Sequence, residues 1–245
     1  MLSDDEVQFF RTNGYLLPGR QLFSEEKLAR LEGIFNEHLA DKGDKLSDEL
    51  DTPHYRDERL LEFLLSDEVL DTVEPLIGPD IALWSSHFIS KDPRVGRATP
   101  WHEDSAYWNG RFSSYDHIVT VWLALGPSNR ENGCMRVIPG SHRGGGFSDY
   151  VPTDMTVQTF HAEIPEVDES KAVDFELDRG QCSLHDARII HGAKPNTSDI
   201  RRTGYTMRYF PASVKMLPIE PNAGWKIWLA RGQDSAGNTY EPDPR

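Results

Sequence analysis

The fold class that the sequence predicts is α+β or mainly β, an antiparallel sandwich or barrel with helices packed against its outside. Three observations predict it. Helical periodicity occupies the first third of the chain; from Asp80 onward short β-like runs are separated by Gly, Pro, Asn and Ser; and no repeat, low-complexity tract or linker interrupts the sequence. A chain of 245 residues can close one substantial core, so the whole length is expected to form a single domain. Its helical part covers 1–79, its strand-rich core 80–215 and a tail 216–245.

The first helix is expected in "SDDEVQFFRTNGY", where Ser3 and Glu6 form a capping box and Gly14 stops the periodicity. In "SEEKLARLEGIFNEHLADK", Leu28, Leu31, Phe35 and Leu39 recur at helical spacing after Ser24, giving a second helix with one apolar face. "KGDKLSDELDTPHYRDE" reads as loop from its Gly, Pro and charge content, and "RLLEFLLSDEVLDTVEPLIG" as two short helices split near Ser66. Strands follow in "IALWSSHFIS", "HIVTVWLAL", "CMRVIPG", "AVDFEL", "QCSLHD", "ARIIHG" and "TGYTMRYF". In the last, Thr203, Tyr205, Met207 and Tyr209 alternate with Thr206, Arg208 and Phe210, so the two sets occupy opposite faces and one face lines something. The terminal "NAGWKIWLARGQDSAGNTYEPDPR" is polar and expected to be loose, with Trp225 and Trp228 free to cover a barrel mouth or a neighbouring subunit. Oligomeric state stays open.

The formal net charge is −14. An electrostatic hold on nucleic acid or an anionic membrane needs clustered cations, so neither is an expected partner. The same charge favours a small polar or cationic metabolite as substrate over a coenzyme A ester. No apolar run approaches the roughly 18 residues of a spanning helix. The start "MLSDDEVQFF" is acidic and lacks the basic and apolar segments of a secretory signal; a cytoplasmic location is the corresponding expectation. Cys134 and Cys182 are too few for a disulfide framework, form no CxxC pair, and read as buried thiols.

The chemistry concentrates in "TPWHEDSAYW", after the loop "SKDPRVGRATPW". Two imidazoles and one carboxylate can hold a metal such as Fe(II) on one face and leave the other positions open. His102-x-Asp104 supplies two of those groups, on the same side of an extended segment. With nine histidines and forty acidic residues, however, about one H-x-[DE] arises by chance, and His161-x-Glu163 is a second instance. The stretch "IIHGAKPNTSDIRR" changes the balance: His191-Gly192 opens a loop, and Arg202 follows eleven positions on, placed to meet a carboxylate. His185, beside Asp186, is a competing third ligand without the following Gly or the spaced arginine. Trp101, Tyr107 and Trp108 read equally as pocket wall or ordinary core. Lys91, Arg97, Arg111, Arg143 and Arg208 read as surface ion-pair partners or as contacts to an acidic substrate, with Arg208 favoured because an even spacing puts it on the same face as Arg202. Gly144 to Gly146 lacks the lysine of a phosphate loop and reads as a flexible segment near the entrance.

Taken in order, "FRTNGYLLPG", "WHEDSAYW", "VTVWLAL", "NGCMRVIPGSH", "HGAKPNTSDIRR" and "MRYFP" resemble the phytanoyl-CoA dioxygenase family of Fe(II)/2-oxoglutarate-dependent oxygenases over nearly the whole length. The resemblance implies a double-stranded β-helix, or jelly roll, mainly β with flanking helices. It implies His102, Asp104 and His191 as iron ligands, Arg202 rather than Arg201 as the 2-oxoglutarate-binding arginine, and Trp122 and Ser85 as further contacts to that co-substrate. It implies Fe(II), 2-oxoglutarate and O2 as the reacting set, with oxidation of a C–H bond of a small molecule and release of succinate and CO2. Halogenating relatives carry a small residue in place of the carboxylate, so Asp104 points to hydroxylation or a related oxidation. Ala193 departs from relatives that hold the co-substrate with a serine there. The alternative is a jelly-roll protein that keeps its metal for stability or binding, or a zinc centre that activates water. Arg202 counts against it, since a hydrolase has no use for a dicarboxylate clamp.

Overall fold

In the computed structural model, residues 1–144, 147–218 and 224–245 are described. Helix α1 (Asp4–Asn13) starts at the Ser3–Glu6 capping box and ends at Gly14, whose φ of 80° supplies the left-handed turn that glycine adopts freely. The strand β1 (Tyr15–Leu16) follows, then α2 (Glu25–Ala40), capped by Ser24 and burying Leu28, Leu31, Ile34 and Phe35. The segment read as loop also contains the short strand β2 (Leu50–Asp51) and a 3-10 turn over Pro53–Tyr55. Helices α3 (Leu61–Leu64) and α4 (Asp67–Ile77) divide at Ser66 as expected.

The remaining chain is strand-rich: β3 (Ile81–Lys91), β4 (Thr99–His102), the single helical turn α5 (Asp104–Tyr107), β5 (Val119–Ala124), β6 (Met135–Val137), β7 (Val151–Pro152), β8 (Ala162–Glu163), β9 (Val173–Asp174), β10 (Cys182–Asp186), β11 (His191–Ala193), β12 (Arg202–Pro211) and β13 (Trp228–Arg231). One sheet runs β1-β10-β5-β12-β3-β13, with β2 also on β3; a second runs β4-β11-β6-β9; and β7 pairs with β8. All the strand pairings within these sheets are antiparallel. The architecture is a jelly roll with helices on one outer face.

Alternation decides what each face of the larger sheet meets. Tyr205, Met207 and Tyr209 of β12, with Val119, Val121 and Leu123 of β5, join Leu28, Leu31, Leu64 and Val69 in one buried cluster beneath the helices. The opposite set, Thr206 and Arg208 with Trp122 and His185, lines a cavity toward the smaller sheet. The face assignment made from the β12 sequence therefore holds. Burial of this helix-side cluster is the main stabilising contribution, about 25 cal/mol per Å² of apolar surface removed from water.

Two expectations are corrected. "ARIIHG" is not a strand before His191, because Ala187–Ile190 is a turn in which the Ile189 N–H donates to Asp186 O at 3.1 Å. The chain must leave the larger sheet at Asp186 and enter the smaller one at His191, and only a turn spans that gap in so few residues. Nor is the tail loose: β13 pairs with β3, opposing Trp228 to Leu83, and the Arg245 guanidinium donates to Leu65 O and Ala230 O at 2.8 and 2.9 Å. Trp225 packs on Trp84 and Trp228 on His54 and Tyr55 rather than over an opening. Gly145 and Gly146 of the glycine run, and positions 219–223 of the tail, lie outside the described residues.

Candidate metal centre

Strand pairing builds the site. β11 lies antiparallel to β4 with His191 opposite His102, which brings the imidazole centroids to 4.0 Å. Each ring is held by a backbone carbonyl two residues earlier, His102 Nδ1 by Pro100 O at 2.8 Å and His191 Nδ1 by Ile189 O at 2.9 Å. A nitrogen facing a carbonyl is the one carrying the proton, so Nε2 of each ring keeps its lone pair for a metal. Glu103 between the ligands is extended (φ −113°, ψ 128°), so Asp104 returns to the side of His102. One ligand atom from each of His102, Asp104 and His191 lies within 4.8 Å of the other two, and all three residues are buried. Two nitrogens and one carboxylate oxygen on one face are the donor set that suits Fe(II) with open positions.

Electrostatics support a cation there. Burial would push the Asp104 carboxyl up, but Arg208 and the nearby imidazoles of His102 and His185 hold it well below the usual carboxylate range. His191 is driven well below the ordinary imidazole value by burial and by the neighbouring His102, and stays neutral as a ligand must. Arg202 is 2% exposed, and burial pulls its guanidinium down to about 10. Its Nε and Nη2 are buried without hydrogen-bond partners, and its guanidinium sits 5.3 Å over the Trp122 ring. Leaving charged donors unpaired in a protein interior is costly, and an anion bound there would remove that cost. Beside it the Lys91 ammonium, lowered by burial and by Arg202, donates to Lys194 O at 2.7 Å and braces the chain where it leaves β11.

A cavity of about 110 Å³ connects these groups, lined by the three ligand residues, Arg202 and Trp122. Of the residues expected to hold the metal or the co-substrate, Ser85 is absent from this lining: it is buried and its Oγ accepts from Arg208 Nη1 at 3.3 Å. Ala193 lines the cavity with no side-chain donor of its own. The competing ligand His185 reaches the cavity from β10 but approaches Asp104 Oδ2 only to 3.8 Å and belongs to no ligand cluster among the described residues. His161 is exposed and Glu163 half-buried on the β7–β8 hairpin, away from any such cluster. Trp108 is core, packed on Trp84, and Trp101 lies under Arg136; neither lines the cavity, nor does Tyr107, which meets the His102 ring edge-on at 5.7 Å. The apolar wall comes instead from Phe160, Met135 and Ile89, and the rim from Asp48 ion-paired with Arg97 at 2.7 Å. Arg97 was among the basic candidates; Phe160 and Asp48 were missed because loop residues reach a site with no periodic signal, and Ile89 and Met135 because a strand's apolar residues do not say which of them faces a cavity. Cys134 and Cys182 are buried free thiols as expected, raised by burial to about 11 and about 12.

A family model described as phytanoyl-CoA dioxygenase matches residues 10–204. The Mus musculus protein named peroxisomal phytanoyl-CoA dioxygenase is 28% identical over 231 residues, 89% of this chain and 65% of that protein. A Caenorhabditis briggsae homolog of phytanoyl-CoA dioxygenase domain-containing protein 1 is 35% identical over 128 residues, 50% of this chain and 44% of that one. The chain thus spans less than two thirds of either relative. The non-heme monooxygenase ThoJ in its apo form superposes with a TM-score of 0.79 at 27% identity, over 98% of this chain and 88% of its own. Its nickel complex superposes at 0.73 and 26% identity, covering 98% and 89%. Matched over most of its length by the family model and carrying the buried His-Asp-His cluster between its two sheets, the chain belongs to the phytanoyl-CoA dioxygenase family.

Proposed function

We propose that the protein is an Fe(II)- and 2-oxoglutarate-dependent dioxygenase that hydroxylates, or otherwise oxidises, a C–H bond of a small molecule, with release of succinate and CO2. His102, Asp104 and His191 would hold the iron. The observation that carries the reading is Arg202, fully enclosed beside the ligand cluster with two buried donors unpaired; a dicarboxylate with one end on the metal and the other on this guanidinium would satisfy both requirements. Trp122, stacked near Arg202, would fix the guanidinium plane, and Ser85 acts one step back through Arg208. When bound, iron with 2-oxoglutarate and O2 supplies the oxidising power. The chain's own share is to orient the groups and exclude water. Phe160, its ring centroid 4.8 Å from that of His102, stands against the ligand cluster from the hairpin side, and the carbonyls of Pro100 and Ile189 keep both imidazoles in the ligating tautomer. The name of the ThoJ nickel complex supports metal binding in this fold. A water-activating hydrolase would leave Arg202 without a counter-ion.

The same proposal places the enzyme in the cytoplasm, which fractionation of expressing cells would check; none of the described helices is long and apolar enough to cross a membrane. The chemical test is anaerobic addition of Fe(II) and then 2-oxoglutarate to the apoprotein. A weak visible charge-transfer band is expected, absent in His191→Ala. A metal-loaded protein with no band after 2-oxoglutarate would discard the reading.

A further inference from the structure

The net charge of the chain argues for a neutral or cationic substrate, but the cavity has its own charge balance. Arg97 at the rim is paired with Asp48. Arg202 is the receptor of the co-substrate on the reading above. That leaves Arg208, on the same face of β12 as Arg202 and near the other end of the strand, so their Cα atoms are separated along it by roughly 20 Å at about 3.3 Å per residue. Arg208 lines the cavity and its side chain is 12% exposed. Its Nη1 donates to the neutral Ser85 hydroxyl at 3.3 Å, and its Nε, buried with no hydrogen-bond partner, makes only a long ion pair with Asp104 Oδ2 at 3.7 Å. A guanidinium offers five donors, and this one places a single bond, on an uncharged group. The Trp108 ring, 5.4 Å from its carbon, and the Ser85 contact fix its plane, so the unused edge is held rather than free to swing to solvent. Asp104 is the nearest carboxylate, and a metal would claim it.

We propose that Arg208 anchors an oxyanion on the substrate, a carboxylate or phosphoryl-type group, and so orients the C–H bond to be oxidised beside the metal on the side away from Arg202. The substrate class is then a small anionic molecule with an apolar portion against Phe160 and Met135. This inference rests on the proposed oxygenase reading for the location of the reacting centre, and its test is arranged to separate the two.

The test is a fluorine NMR titration of protein loaded with Ni(II) and saturating 2-oxoglutarate, using 4,4,4-trifluorobutanoate and its neutral amide as probes. Binding of 2-oxoglutarate itself, followed by calorimetry on the same samples, reports on the oxygenase reading independently. Wild type should bind the carboxylate probe about tenfold or more tighter than the amide, as expected for a charge-assisted hydrogen bond. Arg208→Met should erase that preference and Arg208→Lys should keep part of it. Equal binding of both probes, no binding of the carboxylate at millimolar concentration, or an unchanged preference in Arg208→Met overturns the proposal. So does loss of Ni(II) from Arg208→Met with the preference intact in whatever metal-loaded fraction remains, since that result makes Arg208 a positioning residue for Asp104.

Discussion

At the level of single residues, His102 and Asp104 were legible as a pair, and His191 and Arg202 became legible through their spacing. His102→Ala or Asp104→Ala should abolish succinate release while circular dichroism stays that of the wild type; full activity in the Asp104 variant would sink the ligand assignment. Arg202→Ala should raise the 2-oxoglutarate concentration needed for half-maximal rate by about 10²-fold, since a charged hydrogen-bond partner contributes about 1.5–3 kcal/mol. The role of Arg208 was only half legible, because a side chain's partners across a sheet are not written in its neighbours along the chain. The same holds for His54, which sequence reading passed over. It is buried, bonded through Nδ1 to Ser86 Oγ at 2.7 Å, and burial with the nearby charge of Lys226 lowers it from 6.5 to about 3. The unfolded chain therefore takes up a proton below about pH 6.5 that the folded chain refuses. Stability from this group is full above that pH and falls as pH drops toward 3, by about 1.4 kcal/mol per unit. Urea unfolding at pH 7 and about pH 5.5 should show wild type losing roughly 1–1.5 kcal/mol more than His54→Phe; parallel losses would refute the assignment.

Elements were read with uneven success, for physical reasons. The helices of the first third were recovered, because Ser3 and Ser24 cap their starts and the apolar spacing is local, whereas the single turn α5 in the metal-ligand segment was read as extended. The long strands β3, β5, β10 and β12 were found from β-branched and aromatic runs. β11 was overextended, since Ile189 and Ile190 have strand-like character but serve to cross from one sheet to the other. β13 was missed because an edge strand needs only four residues and its pairing partner lies far back in the chain. On β12, Gly204 sits where the strand meets Trp122: an added Cβ would lie 2.0 Å from the indole Cζ2. Gly204→Ala is expected to cost about 1–3 kcal/mol through overpacking, seen as a lowered urea midpoint. It should also weaken 2-oxoglutarate binding by tilting the ring beneath Arg202. An unchanged midpoint would mean the indole can move without loss.

For the molecule as a whole, helices followed by strands were enough to place the chain among mainly β domains, while the jelly roll itself came from resemblance. The order of strands in two facing sheets depends on pairings between distant segments that periodicity cannot report. Metal binding should register at this scale. Addition of Mn(II) or Ni(II) at about 100 times its dissociation constant should stabilise the fold by about 2.7 kcal/mol, a rise in Tm of roughly 5–10 °C. His191→Ala should lose the shift, and a shift that persists in that variant would place the ion elsewhere. The pairing of His191 with His102 has a last consequence, one of timing. The two ligands sit on partner strands yet are separated by more than a third of the chain. A ribosome must deliver the second of them long after the first, and until β11 docks no ion has a home. On the proposed ligand set, the three-residue site would be complete only after β11 has docked, and full metal binding would follow assembly of the core.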